Sequence, residues 1–244
     1  MAEPYLSIVI PAYNESLRIA RTLEEVRKYA AAKAFGTEVL LVDDGSSDST
    51  PELFQEFQSL WPATRVLRNE VNRGKGYSVR RGVLEARGQV ILFTDADLSA
   101  PIEEADKLLA ALESAAADAA IGSRALDRKL IGIHQPWRRE LAGRCFNLFV
   151  RLFTGLSLHD TQCGLKLFRR DSTRRAFELQ RVERFGFDPE VLFLIQHLGG
   201  KLVEVPVRWN DNPATKVHFL RDSTHMFLDL VVLRWRTWAG HYST

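Results

Sequence analysis

The tripeptide Asp95-Ala96-Asp97 closes the apolar run Gln89-Val90-Ile91-Leu92-Phe93-Thr94. Two carboxylates two residues apart, in a short loop at the end of a buried strand, can converge on one hard divalent cation through oxygen ligands. In an α/β sheet that strand end is where ligands bind, so a metal–diphosphate site is the first expectation. The plainer reading is that the same carboxylates cap the helix opened by Ser99-Ala100-Pro101.

Three further clusters have the composition of ligand contacts. Pro11-Ala12-Tyr13-Asn14-Glu15 offers a rigid turn, an aromatic ring and a carboxylate, suited to stacking a nucleobase and bonding a ribose or base edge. Asp43-Asp44-Gly45-Ser46 follows another apolar run, where carboxylates can accept from ribose hydroxyls or a pyrimidine N–H. Asn72-Arg73-Gly74-Lys75-Gly76 precedes a helix, and its glycines would let a backbone and a lysine approach a diphosphate. No Gly-x-Gly-x-x-Gly follows the first apolar run, and Gly-x-x-x-x-Gly-Lys-Ser/Thr is absent, so dinucleotide and P-loop readings lack their signatures.

The elements that must position these residues alternate. Short unalternated runs at Leu6–Ile10, Glu38–Val42, Thr64–Leu67 and Gln89–Phe93 read as strands covered on both faces. Amphipathic helices lie between them, one from Leu17 and one opened by Ser49-Thr50-Pro51. The pattern is βαβαβαβ, hence a doubly wound, mostly parallel, Rossmann-like α/β sheet. Beyond a helix at Pro101–Ala117, a strand is expected at Ala119–Ile121, a loop at Gly132–Pro136 and a helix around Leu141–Phe153. A strand at Gly164–Phe168, a helix around Pro189–His197 and a strand at Leu202–Val207 complete the body. The expected organisation is a domain over 1–218, in two halves at about 1–123 and about 124–218. A C-terminal amphipathic helix follows within 219–244. There, Met226, Phe227, Leu230, Val231, Leu233 and Trp238 share helical spacing opposite a polar stripe of Asp222, His225, Asp229 and Arg236, with Arg234 placed to snorkel. Such a helix, tipped by Trp235 and Trp238, suits a membrane interface; the alternatives are packing on the sheet or on a second subunit as a homodimer.

A chain of 244 residues, 45% hydrophobic and 26% charged, can bury a full core and is neither disordered nor an integral membrane protein. No apolar run approaches the ~20 residues of a spanning helix, and no signal peptide is evident, so the expected location is cytoplasmic, peripheral on a membrane's cytoplasmic face. Cys145 and Cys163 fit neither a disulfide framework nor a zinc site and read as reduced thiols in helix or strand packing. The net charge of +2 hides thirteen Lys/Arg against five Asp/Glu between Arg124 and Arg181. This basic middle fits a solvated helix face, an anionic-lipid surface or another phosphate-bearing partner; with no nucleic-acid-binding motif beside it, nucleic acid fits least.

In this order, Ser7–Glu15, Asp43–Ser46, Gly74–Gly76, Asp95–Asp97 and Gly122-Ser123-Arg124 resemble the family-2 glycosyltransferases of GT-A fold, closest to the branch that loads a sugar onto a polyprenyl phosphate. Asp160-Thr161-Gln162-Cys163-Gly164-Leu165-Lys166-Leu167-Phe168 and Val182–Asp188 look like the dolichyl-phosphate β-glucosyltransferases, with the dolichyl-phosphate mannose synthases as neighbours. The resemblance implies that Pro11, Tyr13, Glu15, Asp43 and Asp44 serve the nucleoside, Lys75 the diphosphate, and Asp95, Ala96 and Asp97 the donor and its Mg2+ or Mn2+. It implies that Arg124, Arg138 or Arg139, and Lys216 hold the acceptor phosphate. The register between relatives slips by one at Arg138 and Arg139, so both stand.

Ser99 stands where mannose synthases carry glutamine, which favours glucose over mannose, and Ala214-Thr215-Lys216 replaces a Gly-Ser-Lys. Eukaryotic relatives begin with a membrane-spanning segment not seen here, which throws attachment onto the C-terminal and Leu141–Phe153 helices. The expected reaction is an inverting, metal-dependent transfer of a hexose, glucose from UDP-glucose, to a polyprenyl or dolichyl phosphate. The alternatives are mannosyl transfer from GDP-mannose, or transfer to a sugar hydroxyl with Asp188 or Glu183 as the base. A nucleotidyltransferase would carry a glycine-rich loop after its first strand, which Pro11–Glu15 is not, and a non-catalytic nucleotide-sugar sensor would not need the acceptor-side cations.

Overall fold

The computed structural model describes residues 3–212 and 219–242, apart from the side chains of 138 and 219–223. Its main sheet has seven strands in the order β3-β2-β1-β4-β7-β5-β8. They are β1 (Leu6–Ala12), β2 (Thr37–Asp43), β3 (Thr64–Arg68), β4 (Val90–Thr94), β5 (Ala119–Ser123), β7 (Leu165–Arg169) and β8 (Leu202–Pro206); a short pair, β6 (Ile131–Ile133) and β9 (Trp209–Asn210), stands apart. Every residue of β1, β4 and β5 is buried, the burial that their unalternated composition calls for.

Helices cover both faces. On one, α1 (Ile19–Ala31), α2 (Thr50–Leu60) and α4 (Ala105–Ser114) pack against Ile8, Ile10, Leu41 and Leu92. On the other, α3 (Lys75–Glu85), α6 (Arg170–Leu179) and α7 (Phe187–His197) pack against Val9, Leu40, Val42 and Phe93. Outside this layer lie α5 (Trp137–Thr154) and α8 (Phe219–Trp238), joined where the Phe227 ring meets Phe149 and Phe153 edge-on at 5.3 and 5.9 Å.

Within this mostly parallel sheet the strand beginning at Leu165, whose direction the sequence left open, is antiparallel to both neighbours, β4 and β5, because the chain returns to the sheet from the carboxyl side after α5. Two expectations are corrected. Helix α6 stands where no element was expected: its apolar stripe is only Thr173, Ala176 and Phe177 among arginines. Cys145 is exposed on α5, whereas Cys163 is buried and burial pushes its thiol up to about 12. Among the described residues no helix is long and apolar enough to cross a membrane.

Candidate active site

From β1 the chain winds to β2 and β3 on one side and returns to β4 on the other, so the gap between the carboxyl ends of β1 and β4 is the topological switch point of the sheet. Pro11–Glu15 and Asp95–Asp97 sit on its two sides. The carboxylate loop is held by its backbone: Asp95 N–H donates to Gly164 O at 3.1 Å, and Thr22 of α1 donates through Oγ1 to Ala96 O at 2.7 Å. Gly164 is there because β7 runs antiparallel, pairing Leu165 with Thr94, and a Cβ on Gly164 would run into the Asp95 carboxylate.

Each carboxylate has a cation. Lys75 Nζ, at the first turn of α3, lies 2.7 Å from Asp95 Oδ1. Burial alone would lower the Lys75 pKa, but Asp95 and Asp188 outweigh it and the ammonium is stabilised. Arg18 pairs with Glu15 and reaches Asp97 Oδ2 at 3.7 Å. Asp97 Oδ1 also accepts Ser99 N–H at 3.0 Å, a bond inside the loop; neither the turn at Ile102–Glu104 nor α4 takes a side-chain cap, so the capping reading is not met. The donor set is two hard carboxylates among polar groups. That fits Mg2+ or Mn2+, which bind through one or two carboxylates and complete their shell with water and substrate phosphate; among the described residues no cluster of three metal-type ligands exists.

A cleft of about 430 Å3 brings together Lys75, Asp95, Asp97, Arg124, Arg139 and Asp188. Arg124 is clamped by Asp160, with Nε to Oδ2 at 2.6 Å, Nη2 to Oδ1 at 2.8 Å and its own N–H to Oδ2 at 3.1 Å. Burial alone would raise the Asp160 carboxyl, yet the guanidinium holds it at about 2. Asp188 is buried at the start of α7, 2.7 Å from the Nζ of Lys166, itself 1% exposed. Burial raises the Asp188 pKa against the opposing pull of Lys166 and Lys75. Arg139 Nη1 lies 3.4 Å from Asp211. Lys216 and the Arg138 side chain lie outside the described residues.

The residues expected at the nucleoside lie along the neighbouring edge rather than in this cleft. Pro11 is the penultimate residue of β1, Tyr13 is 39% exposed, and Glu15 spends its carboxylate on Arg18. Asp43 is fully buried, accepting Ser46 N–H at 3.0 Å and facing Arg68 Nε at 3.2 Å. Asp44 organises the next loop, accepting from Asn69 Nδ2 at 2.7 Å and from the N–H groups of Arg73 and Gly74 at 3.0 and 2.8 Å. Ala96 is turned away, its methyl in the core.

Two expectations change here. The glycines flanking Lys75 serve protein packing: a Cβ on Gly76 would fall 2.6 Å from Phe187 Cβ and 2.7 Å from Val182 O, and one on Gly74 would meet Glu183 O at 2.5 Å. Glu183 does not line the cleft of Lys75 and Asp95; it pairs with Arg73 and lines a second cleft. Arg18, Asp160 and Lys166 went unassigned in the sequence. The i, i+3 spacing of Glu15 and Arg18 signalled the first, but the partners of the other two are distant in the chain.

Residues 7–177 match the glycosyl transferase family 2. The chain is 40% identical over 225 residues to a dolichyl-phosphate beta-glucosyltransferase of Drosophila melanogaster, covering 87% of this chain and 69% of that protein. It is 34% identical over 248 residues to the protein of that name from Dictyostelium discoideum, covering 97% and 76%. Among solved structures, glucosyl-3-phosphoglycerate synthase from Mycobacterium tuberculosis, in complex with Mn2+, UDP and glucosyl-3-phosphoglycerate, aligns with a TM-score of 0.66 at 17% identity, over 94% of this chain and 78% of that one. The likeness at that identity is one of fold, and the fold is GT-A. Sequence similarity of this extent, carried on a sheet that lines the matched motifs along one edge, places the chain in glycosyltransferase family 2.

Proposed function

We propose that this enzyme transfers glucose from UDP-glucose to a polyprenyl phosphate, with inversion and with a divalent cation held by Asp95 and Asp97. The observation that carries the reading is one cleft in which the two-carboxylate edge faces the Arg124 and Arg139 wall. Such a site is built to hold two anionic groups against each other.

Bound at that edge, Mg2+ or Mn2+ would offset the charge that develops on the departing diphosphate. Lys75, between Asp95 and Asp188, adds a second positive group on the same side. The acceptor oxygen of a phosphate monoester is already ionised near neutral pH, with a second pKa of about 6, so it attacks the anomeric carbon without surrendering a proton. Arg124 keeps its orientation through the Asp160 fork, and Arg139 adds charge beside it. Arg138 and Lys216 complete the proposed acceptor set. A single in-line displacement turns an α-linked donor into a β-linked product, consistent with the names of the relatives. A hydroxyl acceptor would need a free carboxylate base, and Asp188 is committed to Lys166.

The acceptor is a lipid, and the outer helices suit a membrane surface. On α8, Met226, Leu230 and Leu233 are buried and Asp229 and Arg236 are half-buried against the body, whereas Leu228, Val231, Val232, Trp235 and Trp238 are exposed. Leu141, Leu148 and Leu152 do the same on α5. An outward apolar face with terminal tryptophans, beside Arg144, Arg151 and Arg234, is the composition of an interfacial helix.

The test is a donor panel of UDP-glucose, GDP-mannose and UDP-N-acetylglucosamine against one short polyprenyl phosphate, reading nucleotide release and lipid-linked sugar. Glucosyl lipid from UDP-glucose alone is expected. Mannosyl lipid, or UDP release without lipid product, would overturn the assignment.

A further inference from the structure

Glu190, in α7, is a buried carboxylate that the transfer step does not use. Its Oε2 accepts the N–H groups of Arg181 at 3.0 Å and Val182 at 2.7 Å, and its Oε1 accepts the phenol of Tyr242 at 2.5 Å. Tyr242 is 1% exposed, in the core layer that also holds Leu230 and Leu233 of α8, and comes four residues after the end of that helix. The Arg236 guanidinium of α8 bears on the same pair, opposing the upward shift that burial gives both Glu190 and Tyr242. One buried polar knot therefore joins the end of α8 to the segment that follows α6.

That segment is a strap over the Lys75 turn. Gln180 Nε2 donates to Gly76 O and to Val182 O, both at 2.9 Å; Tyr77 N–H donates to Glu183 O at 2.9 Å; and Arg73 pairs with Glu183. The glycines on either side of Lys75 have no side chain because the strap occupies that space, Glu183 O over Gly74 and Val182 O with Phe187 over Gly76. A second tie reinforces the first: the Asp229 carboxylate of α8 fills the place a side chain on Gly186 would take.

We propose that Glu190 and Tyr242 are positioning residues for the donor side of the site: their hydrogen bond fixes the 181–183 strap, the strap holds Lys75 against Asp95, and the seating of α8 thereby sets affinity for the nucleotide-sugar diphosphate. The inference rests on the proposed donor and on the role of Lys75 in binding it. Neither residue touches substrate. Without the phenol, Oε1 of a buried carboxylate loses its donor, and the carboxylate turns from the strap amides to recover one.

The experiment compares wild type, Tyr242→Phe and, as a control for plain destabilisation, Leu108→Ala, buried in α4 on the opposite face of the sheet. UDP binding is measured by calorimetry in the presence of Mn2+, the KM for polyprenyl phosphate by assay, and local opening by amide hydrogen exchange. Y242F is expected to weaken UDP about five- to tenfold with the acceptor KM within about twofold, the scale of one charge-assisted hydrogen bond only partly transmitted. Exchange should quicken in 74–77 and 180–183 while β1 and β4 stay protected; L108A should lower the melting temperature without changing UDP affinity. Wild-type binding that is unchanged in Y242F, or that weakens in both variants in step with melting temperature, overturns the coupling alone. Wild-type protein that binds no UDP overturns the proposed donor and this inference with it.

Discussion

Lys75 Nζ lies 2.7 Å from Asp95 Oδ1, closer than the Arg18 guanidinium lies to Asp97. The lysine is a tethered counter-ion at the edge where the diphosphate is proposed to leave. Lys75→Met is expected to lower kcat/KM for the donor about 10²-fold, the scale for one preorganised charge-stabilising donor, with acceptor KM unchanged. Steady-state kinetics with each substrate varied checks this, and a loss confined to acceptor KM would contradict it.

Gly164 carries no side chain because Asp95 occupies the space. Gly164→Ala is expected to push the carboxylate off its position and cost about 10²-fold in kcat, since displacements near 1 Å have that effect. Circular dichroism should remain that of the wild type. Wild-type kcat in a folded variant would show that the carboxylate position is not critical.

The Arg124–Asp160 fork makes stability depend on pH. Asp160 is held at about 2, below the 3.8 of an unperturbed aspartate, so the unfolded chain takes up the proton first on acidification. The fork's contribution, on the order of 2 kcal/mol, is therefore complete above pH ~4 and is lost as pH falls toward about 2. Urea unfolding of wild type and Asp160→Asn at pH 5 and at pH 2.5 should show a stability gap that narrows in acid. A gap that does not change would rule the linkage out.

Trp235 and Trp238 are 57% and 87% exposed on the outward face of α8. The double substitution W235E/W238E is expected to abolish co-sedimentation with anionic vesicles while moving stability by no more than about 0.5 kcal/mol, as surface changes do. Undiminished sedimentation would release α8 from this role, and a change in oligomeric state with no change in sedimentation would assign the face to a second subunit.

What the sequence disclosed was whatever is local in it. Asp95, Asp97 and Lys75 could be found because each follows a recognisable strand end or precedes a helix, and burial of β1 and β4 follows from their unalternated composition. The direction of β7 could not be read, because Leu165–Arg169 is apolar enough to be a buried strand in either sense. Its reversal brings Gly164 beneath Asp95 and Lys166 against Asp188. Glu183 was misplaced for a related reason: four residues separate it from the cleft-lining Asp188 through a turn that sends the two side chains to different clefts. On α8 the apolar residues form one stripe in sequence but divide in space, Leu230 and Leu233 inward and Val231 and Trp235 outward.

The most direct test is UDP release from UDP-glucose, with a short polyprenyl phosphate as acceptor, before and after excess chelator and then after Mn2+ is restored. The account predicts acceptor-dependent release that stops with chelator, returns with Mn2+, and is absent from Asp97→Ala under every condition. Undiminished release in chelator, or full activity in Asp97→Ala, would contradict it.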